Sequence, residues 1–280
     1  MKFPIEFFFR KLIRPATYYL MVRLHDLYIK DQKIRYKSMY SYPDIAGKHA
    51  LVNGCWEGWN IDAAINLAKQ RVGNQNLGCF MDIGANLGVY SVNLAEHFEK
   101  TYAFEPALIA RHVLQANVLS NKLGQSIEVV ELGLSNDKTT LEFFVDPANS
   151  GMSSLFKSRA NADFEKTRID VMRGDDFLKD KNSHKVSLMK VDVENHEFEV
   201  LQGLTKTIER DKPLIQLELD GASEIAKKID SYLKNLGYTQ KLVLKDTYFT
   251  KFLRKFFGIH SSPVEIDVLE KRFYQAVWYT

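Results

Sequence analysis

Cys79-Phe80-Met81-Asp82-Ile83-Gly84-Ala85-Asn86-Leu87-Gly88-Val89-Tyr90-Ser91 decides the fold. An apolar run ends in an acid and two glycines four apart follow it, which predicts a strand, a tight turn and a helix start. Tyr102-Ala103-Phe104-Glu105-Pro106 repeats the first half of the pattern, and its acid lies seventeen residues after Gly88. Together they outline a nucleoside-cofactor site at the carboxyl edge of a parallel sheet.

Working outward from Leu77, short apolar runs alternate with helical stretches, so the expected fold is α/β and Rossmann-like, with helices on both faces of a mostly parallel seven-stranded sheet. The strands are expected at Gly78–Asp82, Thr101–Glu105, Ile127–Leu132, Val186–Asp192, Leu214–Leu219, Gln240–Leu244 and Phe273–Tyr279. Helices are expected near Leu87–His97, Ala107–Leu119, His196–Gln202 and Ser223–Leu236. Leu141–Val145 and Thr167–Met172 suit a small antiparallel addition beside the loop Asn149–Ser154. The last strand is entered from a long loop after Pro263 rather than from a helix, which predicts that it runs antiparallel to its neighbours. Residues 1 to about 36 read as helical and a further helix is expected near Ile61–Arg71. This divides the chain into an N-terminal helical extension, 1–76, which could act as a substrate cap or a membrane or dimer contact, and a main domain, 77–280.

At 280 residues the chain can bury a sizeable core. Its 38 basic and 35 acidic side chains nearly balance, so no whole-molecule field argues for a nucleic-acid partner. There are two cysteines, neither in a metal-spaced pair, which suits a reducing, cytoplasmic setting. No cleavable leader is read at the start, because Arg10, Lys11 and Arg14 interrupt the apolar opening.

The glycine turn separates two cofactors. A dinucleotide fingerprint needs G-x-G-x-x-G, and the second of those positions is Asn86. Asp82, just before the turn, would repel a pyrophosphate and favour a cationic head such as the amino and sulfonium groups of S-adenosylmethionine. Glu105 then fits as acceptor for two ribose hydroxyls. The structural alternative is a plain strand-to-helix turn, with Asp82 capping the helix.

Asp82-Ile83-Gly84-Ala85-Asn86-Leu87-Gly88, Phe104-Glu105-Pro106, Lys190-Val191-Asp192-Val193-Glu194-Asn195-His196-Glu197 and Val200-Leu201-Gln202-Gly203 resemble the FkbM-type methyltransferases. Asn117, Asn121, Gly133-Leu134-Ser135 and Ser150-Gly151-Met152-Ser153-Ser154 extend the resemblance over about residues 77–220. It implies a class I fold that uses S-adenosylmethionine, mostly for O-methylation. Carried over, it sets Asp82, Gly84 and Asn86 near the methionine part of the cofactor, with Gly88 and Pro106 flanking. Glu105 falls on the ribose, and Glu131 and Leu132 border the adenine. Asp192 faces the transferred methyl group. The family usually has glycine where this chain has Asn195, and asparagine tolerates left-handed backbone better than most residues.

Methyl transfer to oxygen needs an aligned acceptor and a group to take its proton. Asp192, Glu194, His196 and Glu197 crowd one strand end, and Asp192, Glu194 and His196 are the catalytic candidates. Glu197 suits the helix dipole, and Glu218 could reach the same crevice. No metal is assigned; a rival arrangement has Asp192, Glu194 and Glu218 holding Mg²⁺ or Ca²⁺.

The expected function is S-adenosylmethionine-dependent O-methylation of a sugar, glycan or other polyhydroxylated metabolite. Its alternatives are a non-catalytic binding or scaffolding protein of the same fold and, less favoured, an NAD-dependent oxidoreductase. The acceptor is a small molecule or glycan. Met1–Arg23 and Lys241–Phe257 mix basic and aromatic residues. They suit either peripheral contact with the inner face of an anionic membrane, or internal packing and a homo-oligomer seam.

Overall fold

In the computed structural model the described residues are 37, 39–41, 58–73, 77–145, 165–179, 181, 184–221, 223–244, 264–265 and 273–280. Nearly all belong to a compact unit, Ser38–Thr280. The helical reading of 1–36, the loop 149–154 and most of both basic aromatic stretches lie outside the described residues.

The elements are α1 (Gly58–Val72), β1 (Leu77–Ile83), α2 (Val89–Leu94, extended by a 3-10 turn Ala95–His97), β2 (Phe98–Phe104), α3 (Leu108–Ser120), β3 (Ile127–Val130), β4 (Gly133–Leu134), β5 (Thr139–Val145) and β6 (Glu165–Met172). They continue as α4 (Gly174–Lys179), β7 (Val186–Val191), α5 (Glu197–Gly203), α6 (Thr205–Asp211), β8 (Leu214–Asp220), α7 (Glu224–Asn235), β9 (Gln240–Leu244), β10 (Val264–Glu265) and β11 (Phe273–Tyr279). The main sheet runs β10-β9-β11-β8-β7-β1-β2-β3. β3, β2, β1, β7 and β8 are parallel, and β11 is inserted antiparallel between β8 and β9. This is the expected doubly wound sheet with an antiparallel last strand, with the two-residue β10 added at its edge. β5 and β6 form the expected antiparallel pair, with β4 alongside β6.

β1 and β7 lie at the centre of the sheet and are buried almost throughout, as continuous apolar strands covered on both faces should be. One face packs Met81, Ile83, Met189, Val191, Ile215, Leu217 and Trp278 against α5, α6 and α7. On the other face Ala103 and Ile127 meet Val92 of α2 and Leu114 and Val118 of α3. Two short helices, α4 and α6, were not expected from sequence. α6 starts on a distant cap: Asp175 accepts from Lys206 N at 3.0 Å, Thr207 N at 2.9 Å and Thr207 Oγ1 at 2.7 Å.

The inserted strand is fastened to α7 by one carboxylate. Asp230 Oδ1 takes Lys241 Nζ at 2.9 Å and Trp278 Nε1 at 3.2 Å, and Oδ2 takes Lys234 Nζ at 2.9 Å. Lys241, the first residue of the second basic stretch, is therefore buried and paired inside the protein. Burial pushes the Asp230 carboxyl up, but the lysines and the indole together hold it below its ordinary value. Its stabilising contribution is therefore complete above the ordinary carboxylate range and is lost as pH falls through the lowered value. Asp230→Asn should cost about 1–3 kcal/mol in urea unfolding at pH 7, with a smaller difference from wild type in acid. An equal difference at both pH values would contradict this account.

Candidate active site

β1 and β7 end side by side and are stitched there by backbone. Asp192 N donates to Ile83 O at 3.0 Å. A Cβ on Gly84 would stand 1.9 Å from Asp192 O, and the residue has φ +77°. Close approach and left-handed backbone both reserve the position for glycine. The turn also hangs from β2, because Gly84 N and Ala85 N donate to Phe104 O at 3.1 and 3.0 Å. Asn86 follows with φ +50°, and Gly88 with φ +84° opens α2. Asn117 braces the turn from α3: its Nδ2 donates to Leu87 O at 2.8 Å, and Tyr40 N donates to its Oδ1 at 2.6 Å.

Asp82 is fully buried behind the turn. Its Oδ2 accepts from Ser91 N at 2.9 Å and Ser91 Oγ at 2.6 Å, so it does cap the first turn of α2. Oδ1 is buried without a hydrogen-bond partner, and so is Asn86 Oδ1. Two acceptor atoms are thus left over at the turn, and a buried acceptor without a donor is costly. Burial pushes the Asp82 carboxyl up, opposed by Lys190 and Ser91. Glu105 bridges the turn and the start of α3: Oε2 accepts from Asn86 N and Oε1 from Ala107 N, both at 2.8 Å. Burial outweighs these amides and raises its carboxyl to about 7.

Next along the edge, Leu132 is half-buried against the core. The Glu131 side chain is exposed and faces Arg111 at 3.5 Å. Arg111 Nη1 donates to Pro106 O at 2.9 Å, which ties α3 to the Glu105-Pro106 corner. All eight residues expected to bind the cofactor therefore lie along the carboxyl ends of β1, β2 and β3. Glu105 and Asp192 stand one residue beyond their strands rather than inside them, because the chain already turns out of the sheet there.

Sequence reasoning missed Lys190. Its buried ammonium lies 3.1 Å from Asp192 Oδ2, 3.2 Å from Gly84 O and 3.9 Å from Asp82 Oδ1, and 5.1 Å from the centre of the Tyr90 ring. A polar chain continues across the same face. Gln216 Nε2 donates to Tyr90 Oη at 3.0 Å and to Gln275 Oε1 at 2.9 Å, and Gln275 Nε2 donates to Glu218 Oε2 at 3.1 Å. The signal was present as alternation: residues 190, 192 and 194, at and just past the end of β7, and again 216, 218 and 220 in β8, are polar beside apolar neighbours.

The segment after β7 folds back on itself. Glu194 and Asn195 both have left-handed backbone, with φ +54° and +75°. Glu197, the first residue of α5, turns its buried carboxylate back to accept from Asn195 N at 3.1 Å and Val193 N at 3.3 Å. Burial raises its carboxyl to about 7. It closes the loop as well as opening the helix. His196 points elsewhere: Nε2 meets Ser135 Oγ at 2.9 Å and Nδ1 lies 3.6 Å from Glu199 Oε2. Burial holds the imidazole below its ordinary value, against the pull of Glu199. Asp192 thus joins the turn, whereas His196 joins β4 and α5. Among the described residues no three His, Cys, Asp or Glu side chains converge as a metal-binding set. Glu218 is held by Gln275 and Asp192 by Lys190, so the Asp192–Glu194–Glu218 cation arrangement has no geometry behind it.

Residues 82–239 match the model of the methyltransferase FkbM domain. Methyltransferase sdnD of Sordaria araneosa is 26% identical over 187 residues, 56% of this chain and 72% of that protein. The hexuronic acid methyltransferase AglP of Haloferax volcanii is 26% identical over 128 residues, 46% of this chain and 50% of its own length. A crystal structure of an FkbM methyltransferase from Methylobacillus flagellatus is 17% identical, with a TM-score of 0.47 over 72% of this chain and 43% of that one. The chain therefore spans about half or less of the last two.

Asn195, with φ +75°, holds a left-handed backbone that glycine adopts without strain. Asn195→Gly should keep stability within about 1 kcal/mol of wild type, whereas Asn195→Val should cost about 1–2 kcal/mol or more in thermal unfolding. Equal tolerance of valine would show that the loop can give up this backbone.

Proposed function

The chain belongs to the FkbM methyltransferase family, and we propose that it takes S-adenosylmethionine as donor and methylates a hydroxyl of a sugar, glycan or other polyhydroxylated acceptor. The observation that carries the donor assignment is the pair of orphaned buried acceptors, Asp82 Oδ1 and Asn86 Oδ1, at a glycine turn already crowded with negative charge. They suit a cationic, hydrogen-bond-donating head group and would repel a pyrophosphate. Glu105 spends one lone pair of each oxygen on a backbone amide and keeps capacity for two ribose hydroxyls. Gly84, Gly88 and Pro106 shape the cradle, and Glu131 and Leu132 border the adenine end.

The donor supplies an electrophilic methyl carbon, and the remaining work falls to the protein. The Asp192 side chain is 29% exposed, open enough to meet an acceptor hydroxyl while Lys190 holds its Oδ2. We assign Oδ1 the acceptor's proton as the oxygen–methyl bond forms. Glu218, kept in place by Gln275, suits a hydrogen bond to another hydroxyl of the acceptor. A sugar acceptor also agrees with the hexuronic acid named for AglP.

Ribose hydroxyls favour the ionised Glu105 carboxylate, so donor affinity should rise with pH up to about 7 and then level. Relative to wild type at pH 8, Glu105→Gln should weaken S-adenosylmethionine binding by about 1.5–3 kcal/mol in calorimetry and flatten that rise. A variant that binds as wild type would remove Glu105 from the ribose. With labelled donor at saturation and a panel of sugar and glycan acceptors, Asp192→Asn should lower turnover about 10²- to 10⁴-fold. Undiminished turnover would remove Asp192 as the base.

A further inference from the structure

We propose that Lys190 is a positioning residue of the donor site: bound to Gly84 O and Asp192 Oδ2, it locks the ends of β1 and β7 together and supplies the countercharge that lets Asp82 and Asp192 stand as neighbouring carboxylates. This rests on the donor reading above, but its own evidence is geometric. The Lys190 side chain is 7% exposed and that of Asp82 1%. A charge taken that far out of water is tolerated only when it is paired. Lys190 contacts both acids and the one carbonyl of the glycine turn that faces it, while the Tyr90 ring covers its far side. The registers put Asp82 beside Lys190 across β1 and β7, and Lys190 beside Gln216 across β7 and β8. The Lys190 position therefore has polar neighbours in register on both adjoining strands.

Lys190 offsets part of the negative charge that Asp82 and Asp192 bring to the turn, and the remainder suits a cationic head. With Lys190 removed, Asp82 faces Asp192 from β7, Glu105 from the end of β2, and from α2 only the Ser91 donors and the neutral Tyr90 phenol. Among these neighbours every remaining charge is then an acid, and the Asp82 carboxyl would be pushed further up than burial alone takes it.

Two measurements test this. In the first, Lys190→Met and Lys190→Arg are titrated with S-adenosylmethionine from pH 6.5 to 8.5, and each dissociation constant is divided by that of wild type at the same pH, which cancels titration of the ligand. For Lys190→Met the ratio should approach about tenfold for each unit by which its Asp82 midpoint exceeds that of wild type, shrinking toward one as pH rises. Lys190→Arg should stay nearer one throughout. A ratio for methionine that is near one, or large but independent of pH, overturns the proposal. The second measurement needs no ligand. Asp82→Asn added to Lys190→Met should restore part of the unfolding stability that Lys190→Met loses, or its folding if that variant does not fold. Strictly additive losses overturn the countercharge role. If wild type failed to bind S-adenosylmethionine at every pH, the donor reading would fall, while this second comparison would still decide the role of Lys190.

Discussion

The hydrogen bond from Asp192 N to Ile83 O, with the Gly84 backbone pressed against Asp192 O, is the constraint on which the site depends. Two central parallel strands end at one level, and neither chain can leave the sheet there unless one of them lacks a side chain. Once the ends are joined, the rest follows by short reach. Asp82 lies one residue inside β1 and can cap α2 from below. Lys190 lies two residues before Asp192 on the same face of β7. Phe104 O at the end of β2 receives the two turn amides, and this brings Glu105 to Asn86. One close contact between backbones therefore gathers groups from three strands and two helices.

The electrostatics of the site are correspondingly tense. Glu105 and Glu197 are buried with carboxyls raised to about 7, and Asp82 is pushed in the same direction. Each accepts hydrogen bonds from backbone amides or from Ser91, which leave the charge uncancelled. Lys190 is a cation that acts on both Asp82 and Glu105. Two left-handed non-glycine residues in the adjoining loop add local cost of the kind that gathers where geometry serves function rather than stability. The Asp230 clamp at the other end of the sheet shows the contrast, since there three donors surround one carboxylate and hold it below its ordinary value.

The fold was legible because its signals are local. Apolar runs, glycine turns and a helix-free approach to the last strand suffice for the strand list and for the antiparallel insertion. The gathering of Asp82, Gly84, Asn86 and Glu105 was legible for the same reason, since each lies where its own strand or turn ends. What escaped is non-local. The cap that starts α6 comes from Asp175, thirty-one residues away from Lys206. Lys190 reads as a single basic residue in a strand until β1 is laid beside β7. Glu197 reads as a helix-dipole acid, and only the tight loop before it shows why its carboxylate turns back. The position of His196 depends on Ser135, which the chain delivers from β4.

The buried glutamines have a consequence for how the sheet is assembled. β11 is almost wholly apolar and is flanked by antiparallel partners on both sides, so its hydrophobic pattern alone would accept a shift of two residues with little loss. Gln275 removes that freedom. Directly opposite Glu218, it takes the Gln216 amide on its oxygen and gives its own amide to the carboxylate. A slipped strand would set Phe273 or Val277 at that point and break both of these side-chain bonds, at about 0.5–1.5 kcal/mol each. Strand β11 is thus held in one alignment by a single amide, whose orientation is dictated by the charge at the end of the chain of bonds.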